Sequence, residues 1–210
     1  MNRSMRIIII LIVMLLAAGL LFAQQGKKEV SVYTSVEEGT SKKLLDAFSS
    51  DTGIKVNFVH LSSGPALARI KAEMNNPQAD VWMGAPSENH IIAKNDGLSQ
   101  PYKGGDFVKL QDSFKDSEGY WRSFYMNPMA FAVNMEVLKR LGAPKPMSWQ
   151  DLLNPVYKGQ IQMPTPQASG TAYNIVASLV SIYGEDKAYD YMKKLNPSVQ
   201  TYTSSGTGPS

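Results

Sequence analysis

Residues 29–86, EVSVYTSVEEGTSKKLLDAFSSDTGIKVNFVHLSSGPALARIKAEMNNPQADVWMGAP, decide the fold. Val30, Val32 and Tyr33 read as a strand that stops at Thr34-Ser35. Leu44, Leu45 and Phe48 share one face of the helix that follows, and Asp51-Thr52-Gly53 ends it with glycine just past the last turn. Ile54 to Val59 alternates as a second strand. Ser62-Ser63-Gly64-Pro65 opens a second helix, with proline tolerated in a first turn whose N–H groups lack intrahelical partners anyway. Leu67, Ile70 and Met74 form its stripe, and Asn75-Asn76-Pro77 ends it. Ala79 to Met83 is a third strand, running into Gly84-Ala85-Pro86. Strand, helix, strand, helix, strand at this spacing predicts an α/β fold with right-handed crossovers and a mostly parallel sheet flanked by helices. Ligands of such sheets sit beyond the carboxyl ends of the strands. The exits to watch are therefore Thr34-Ser35, Ser62-Ser63-Gly64 and Gly84-Ala85-Pro86.

Working outward, Arg3 and Arg6 precede an apolar run from Ile7 to Ala23, and polar Gln24 to Lys28 follow. This is the signal-peptide pattern, predicting export with cleavage after Ala23; a retained N-terminal anchor is the alternative. The run is slightly short of the roughly 20 apolar residues that a membrane span needs. Downstream, residues 97–120 are rich in Gly, Asp, Ser and Lys and read as irregular. Phe124 to Met126 and Ala130 to Val133 are strand-like and flank Asn127-Pro128, where the chain is expected to cross into a second lobe. The division predicted is residues 1–23 as leader, 28–125 as the first lobe and 126–210 as the second. Met135 to Leu141 reads as a short helix, Ser148-Trp149-Gln150-Asp151 as a capping box and Gln160 to Met163 as a strand. A helix carrying Ile175, Leu179 and Ile182, another over 186–195, and a strand at Val199 to Tyr202 complete the pattern. Tyr173, Tyr183, Tyr189 and Tyr191 sit at helical positions and read as packing.

Composition narrows the function. At 43% apolar and 19% charged, the 210 residues suit a folded soluble protein. Of 21 basic residues, Arg3 and Arg6 belong to the leader, leaving 19 against 18 acidic. No basic stripe of a nucleic-acid binder results. With no cysteine, disulfides, thiol catalysis, thiolate metal sites and a lipid-anchoring cysteine are all excluded.

Seven segments then carry a resemblance: Val-Tyr-Thr-Ser at 32–35, Thr-Gly-Ile-Lys-Val at 52–56, Ala-Arg-Ile-Lys-Ala-Glu at 68–73, Pro-Gln-Ala-Asp-Val-Trp at 77–82, Ser-Trp-Gln-Asp-Leu-Leu at 148–153, Tyr-Lys-Gly at 157–159 and Ala-Ser-Gly-Thr-Ala at 168–172. In this order and spacing, residues 28–210 resemble the family-1 extracellular solute-binding proteins of the iron(III) and phosphonate type. The resemblance implies the two-lobed type II periplasmic-binding-protein fold and a monomeric, periplasmic protein without cofactor that serves an ABC permease. Members run longer than this chain, so it also implies a second lobe still incomplete at Ser210. Iron-binding relatives place a His after the first strand and an acidic residue after the third. Glu37 and Ala85 stand there, and the tyrosines completing such sites would fall beyond residue 210.

The candidate ligand residues are the hydroxyl and glycine clusters at strand exits: Thr34, Ser35, Ser62, Ser63, Gly64, Gly84, Ala85, Ser169, Gly170, Thr171, Tyr202, Ser204 and Ser205. Several precede helices whose first amides have no intrahelical partner and favour an anion. The same residue types cap helices throughout proteins, but two clusters at predicted cleft positions point to ligand contact. His60 ends the second strand beside one cluster, whereas His90 reads as a surface residue on a helix. Glu37 reads as favourable first-turn charge, with an oxygen to offer if iron is bound. A small anionic solute, such as a phosphonate, sugar phosphate or carboxylate, is the expected ligand, and ferric iron the runner-up. An exported hydrolase lacks a Gly-x-Ser-x-Gly elbow and a base beside a nucleophile, and no Walker pattern supplies ATP hydrolysis. Binding rather than catalysis is therefore expected, the remaining rival being a non-binding remnant of a truncated reading frame.

Overall fold

The computed structural model describes residues 29–105 and 109–205. The expected leader lies outside them, as does Gly206. β1 (Glu29–Thr34) runs between β2 (Lys55–His60) and β3 (Val81–Met83), all parallel, in the order β2-β1-β3. Val32 is level with Phe58 on one side and Val81 on the other. The central strand is the buried one, with Val32, Tyr33 and Thr34 all under 5% exposed.

Helix α1 (Glu38–Thr52) connects β1 to β2, and Gly53 closes it at φ 68°, the left-handed conformation that glycine adopts without steric cost. Ser41 is the buried residue of α1, and its hydroxyl lies 2.8 Å from the Thr34 hydroxyl. Helix α2 (Ser63–Ala72) is tied to the sheet through Tyr33, whose hydroxyl donates to Glu73 at 2.8 Å while the Arg69 guanidinium lies 4.7 Å from its ring. Helix α3 (Ser87–Asn95) follows β3. The stripe on α1 is present, yet Leu44 and Phe48 are 46% and 42% exposed.

Glu37 supplies the N-cap of α1, accepting from Gly39 N at 2.8 Å and Thr40 N at 2.7 Å. These bonds hold its carboxyl below the ordinary range. A depressed folded value means stabilisation present above the unfolded pKa and lost as pH falls through the folded one. The melting-temperature gap between the native chain and Glu37→Gln is therefore expected to shrink from pH ~6 to pH ~3 in a thermal titration. A gap independent of pH would remove the carboxylate from the cap.

After helix α4 (Met135–Leu141), a second, two-stranded sheet pairs β4 (Ile161–Pro164) with β5 (Val199–Thr203) in parallel. Helices α5 (Gly170–Tyr183) and α6 (Glu185–Leu195) connect them. Their core is Leu152, Met163, Leu179, Ala188, Tyr191 and Leu195. The Tyr191 hydroxyl donates to Trp149 O at 2.5 Å, and the reciprocal Ser148–Asp151 bonds form the expected capping box, though on a 3-10 turn at Gln150–Leu153.

Three expectations fail here. Phe124–Met126 and 130–133 form no strands: among the described residues no neighbouring strand accepts their backbone groups, and Phe124 and Met126 are exposed. The α5 stripe is uneven, with Leu179 fully buried but Ile182 59% exposed. Tyr173 and Tyr189 are also exposed rather than packed, and neither belongs to the buried cluster around Leu179.

Candidate functional site

A cavity of about 1080 Å³ opens at the carboxyl ends of β1, β2 and β3. Ser35 and Glu37 reach it after β1, His60, Ser62 and Ser63 at the end of β2, and Gly84, Ala85 and Pro86 after β3. Ser169, Gly170, Thr171 and Asn174 face them from α5, and the irregular segment from Gly119 to Ala130 forms another wall.

Three helix starts therefore meet on one space: α2 behind Ser62, α3 behind Pro86 and α5 behind Ser169. None of the three N-cap residues makes a side-chain capping bond. At α1, by contrast, the cap is filled. Glu37 Oε1 takes Gly39 N, and Oε2 takes both Thr40 N and the Thr40 hydroxyl. Helix starts without a side-chain cap present free N–H donors and the positive end of the dipole, about 0.3–1 kcal/mol each toward an anion, although in α2 the Gly64 N–H is already spent on Ala168 O and Pro65 has none.

The walls meet closely at two glycines. Gly64 N donates to Ala168 O at 3.0 Å. A Cβ at Gly170 would lie 2.5 Å from both Ser63 Oγ and Pro86 Cδ. Only glycine lets α2, α3 and α5 approach this closely.

The residues expected to bind ligand divide accordingly. Ser35, Ser62, Ser63, Gly84, Ala85, Ser169, Gly170, Thr171 and Ser205 line the cavity together. Four do not. Thr34 is fully buried on Ser41, Gly64 packs against Gln167 behind the cavity, Tyr202 donates to Asn196 Oδ1 at 2.7 Å, and Ser204 is exposed. His90 is no surface residue. Its ring lies 4.4 Å from that of Trp82, it bonds Gly84 O, and burial pushes its pKa down.

Sequence reasoning also missed Arg122, which stands in the cavity wall with its guanidinium 5.4 Å from the Tyr102 ring and bonded to Tyr102 O. Its position depends on long-range pinning. Lys94 on α3 holds Asp116 at 2.8 Å and Glu118 at 2.7 Å, and Asp116 in turn accepts from Tyr120 N at 3.1 Å. The Asp116 bond raises the Lys94 pKa and lowers that of Asp116. A basic residue after a Gly-rich loop was the one available signal.

The sequence profile of bacterial extracellular solute-binding proteins matches residues 75–206. An uncharacterised protein from Haemophilus influenzae is 37% identical over 203 residues, covering 93% of this chain and 59% of the relative. A putative 2-aminoethylphosphonate-binding periplasmic protein from Salmonella typhimurium is 32% identical over 152 residues, 71% of this chain and 42% of its own length. Among solved structures, the periplasmic binding protein AfuA from Actinobacillus pleuropneumoniae, with fructose-6-phosphate bound, superposes at a TM-score of 0.83 with 37% identity. That match covers 86% of this chain and 58% of AfuA, so the chain spans 42% to 59% of the length of these relatives. With the profile matched over most of the chain, and strand exits and helix starts gathered on one cavity, the chain belongs to the bacterial extracellular solute-binding protein family.

Proposed function

We propose that the chain captures a small solute bearing a phosphate or phosphonate group, as the periplasmic binding component of an ABC importer. It hands the solute to a membrane permease, works as a monomer and performs no catalysis. The lobes are residues 28–125 and 126–210, and the cavity between them is the binding cleft. The observation that carries this reading is the meeting of three helix starts without side-chain caps on one cavity that also holds Arg122. The sugar phosphate bound by AfuA and the phosphonate in the Salmonella relative's name support the same chemistry. Ferric iron has less support, since Glu37 commits both oxygens to the α1 cap and Ala85 has no ligating group.

Calorimetric titration with inorganic phosphate, sugar phosphates, 2-aminoethylphosphonate and ferric citrate tests the reading. Saturable binding of one of the first three groups supports it, and binding of iron alone overturns it. Ser62→Ala and Ser169→Ala separate ligand contact from capping. Neither change removes a capping bond, so stability is expected to stay within about 0.5 kcal/mol while affinity falls about 3–10-fold. A stability loss near ~1 kcal/mol at unchanged affinity would return both serines to simple caps.

A further inference from the structure

Ala85 is the one non-glycine residue with positive φ among the described residues, at 67°, and it follows Gly84 at 85°. A left-handed conformation strains an alanine and persists only where its surroundings enforce it. Two contacts do so here. Beneath the turn, Gly84 is pressed against β1's exit, where a Cβ would lie 2.8 Å from Val36 Cγ2 and 2.9 Å from Val36 N. Beside it, His90 Nε2 lies 2.5 Å from the Gly84 carbonyl oxygen. A carbonyl can only accept, so Nε2 carries the proton and donates. Burial lowers the His90 pKa and keeps the ring neutral near pH 7, leaving one tautomer to make this bond. Trp82 holds the ring in place at 4.4 Å, and Trp82 Nε1 is itself anchored on Ser35 Oγ at 3.2 Å.

The peptide between Gly84 and Ala85 is trans, so its C=O and N–H point in opposite directions. Fixing the carbonyl on His90 therefore fixes the amide as well. That amide has no hydrogen-bond acceptor among the described residues, and both Gly84 and Ala85 border the cavity. We propose that His90 is a positioning residue for anion capture, holding the Gly84 carbonyl back so that the Ala85 N–H faces the solute. This assignment rests on the phosphate or phosphonate reading for its ligand, but not for its geometry. Without the His90 donor the peptide is free to flip, Ala85 relaxes to negative φ, and a carbonyl oxygen turns toward the anion.

The test uses the full chain and two readouts. Inorganic phosphate and glucose 6-phosphate are titrated calorimetrically into the native chain, His90→Phe, His90→Gln and the double variant His90→Phe/Ala85→Gly. Phenylalanine keeps the ring contact with Trp82 and removes the donor, and glutamine restores a donor. Binding is expected to weaken about tenfold in His90→Phe and to return to within about threefold of native in His90→Gln. Ala85→Gly removes the strain that drives the flip, so the double variant is expected to recover part of the loss. Separately, nitrogen-15 spectra of the native chain report the His90 tautomer, and a crystal structure of His90→Phe reports φ at Ala85. A proton on Nδ1 in the native chain overturns the proposal, as does positive φ retained in His90→Phe, or phosphate affinity unchanged by it. Absence of anion binding by the native chain overturns the functional reading, while the tautomer and φ still decide whether His90 sets the peptide. The tautomer measurement needs no variant and stands even if His90→Phe fails to fold.

Discussion

Gly64→Ala is expected to weaken the proposed binding of inorganic phosphate or a sugar phosphate by about 10–100-fold while leaving α2 folded. The added Cβ would lie 2.2 Å from Gln167 O, 3.2 Å from Gln167 C and 3.3 Å from Ala168 Cα. All three atoms are backbone, so no flexible side chain can swing aside. Alanine suits a helix better than glycine, so α2 itself gains slightly. What gives way is the junction: α2 and the 167–168 backbone must separate, and the bond from Gly64 N to Ala168 O is lost. Helix starts that no longer converge cannot share one anion. Calorimetry measures the affinity and thermal unfolding the stability; native affinity in a well-folded variant would mean that the cavity does not depend on this contact.

The second large effect is on stability. Leu179→Ala is expected to cost about 2–5 kcal/mol, because Leu179 is completely buried within the cluster of Leu152, Met163, Ala188, Tyr191 and Leu195. That is a large share of the roughly 5–15 kcal/mol that holds a typical domain together. Ile182→Ala, one turn away on the same helix but 59% exposed, is expected to cost under about 1 kcal/mol. Urea titrations of the two variants make the comparison. Equal losses would show that the core does not centre on Leu179.

That contrast marks how far the sequence could be read. Residues 29–86 yielded β1, β2, β3 and the helices between them, since each element is set by local periodicity and by punctuation such as Gly53 and Pro77. Leu179 and Ile182 share a stripe in sequence, but only packing against the β4–β5 pair distinguishes them. Phe124 to Val133 looked like strands because apolar runs do, and pairing is a property of neighbours that no local window contains. The site followed the same division. Ser62, Ser63 and Ser169 to Thr171 were legible as helix starts after strands. Arg122 was not, for it arrives on an irregular segment pinned at Asp116 and Glu118 by Lys94, 22 and 24 residues before them. His90 sits at an ordinary helical position and gains meaning only where α3 folds back over the Gly84 turn.

The bond from Gly64 N to Ala168 O also makes one amide proton a gauge of the whole assembly. Its donor begins a helix on one side of the cavity, and its acceptor lies in the loop on the other. No intrahelical acceptor awaits a donor in the first turn, so each parting of the walls exposes that proton to solvent. Deuterium uptake at Gly64 therefore reports how much of the time this contact is broken, and slower uptake on adding inorganic phosphate would read out how strongly that anion holds the two walls together. The contact thus carries its own isotopic probe, with no reporter group attached.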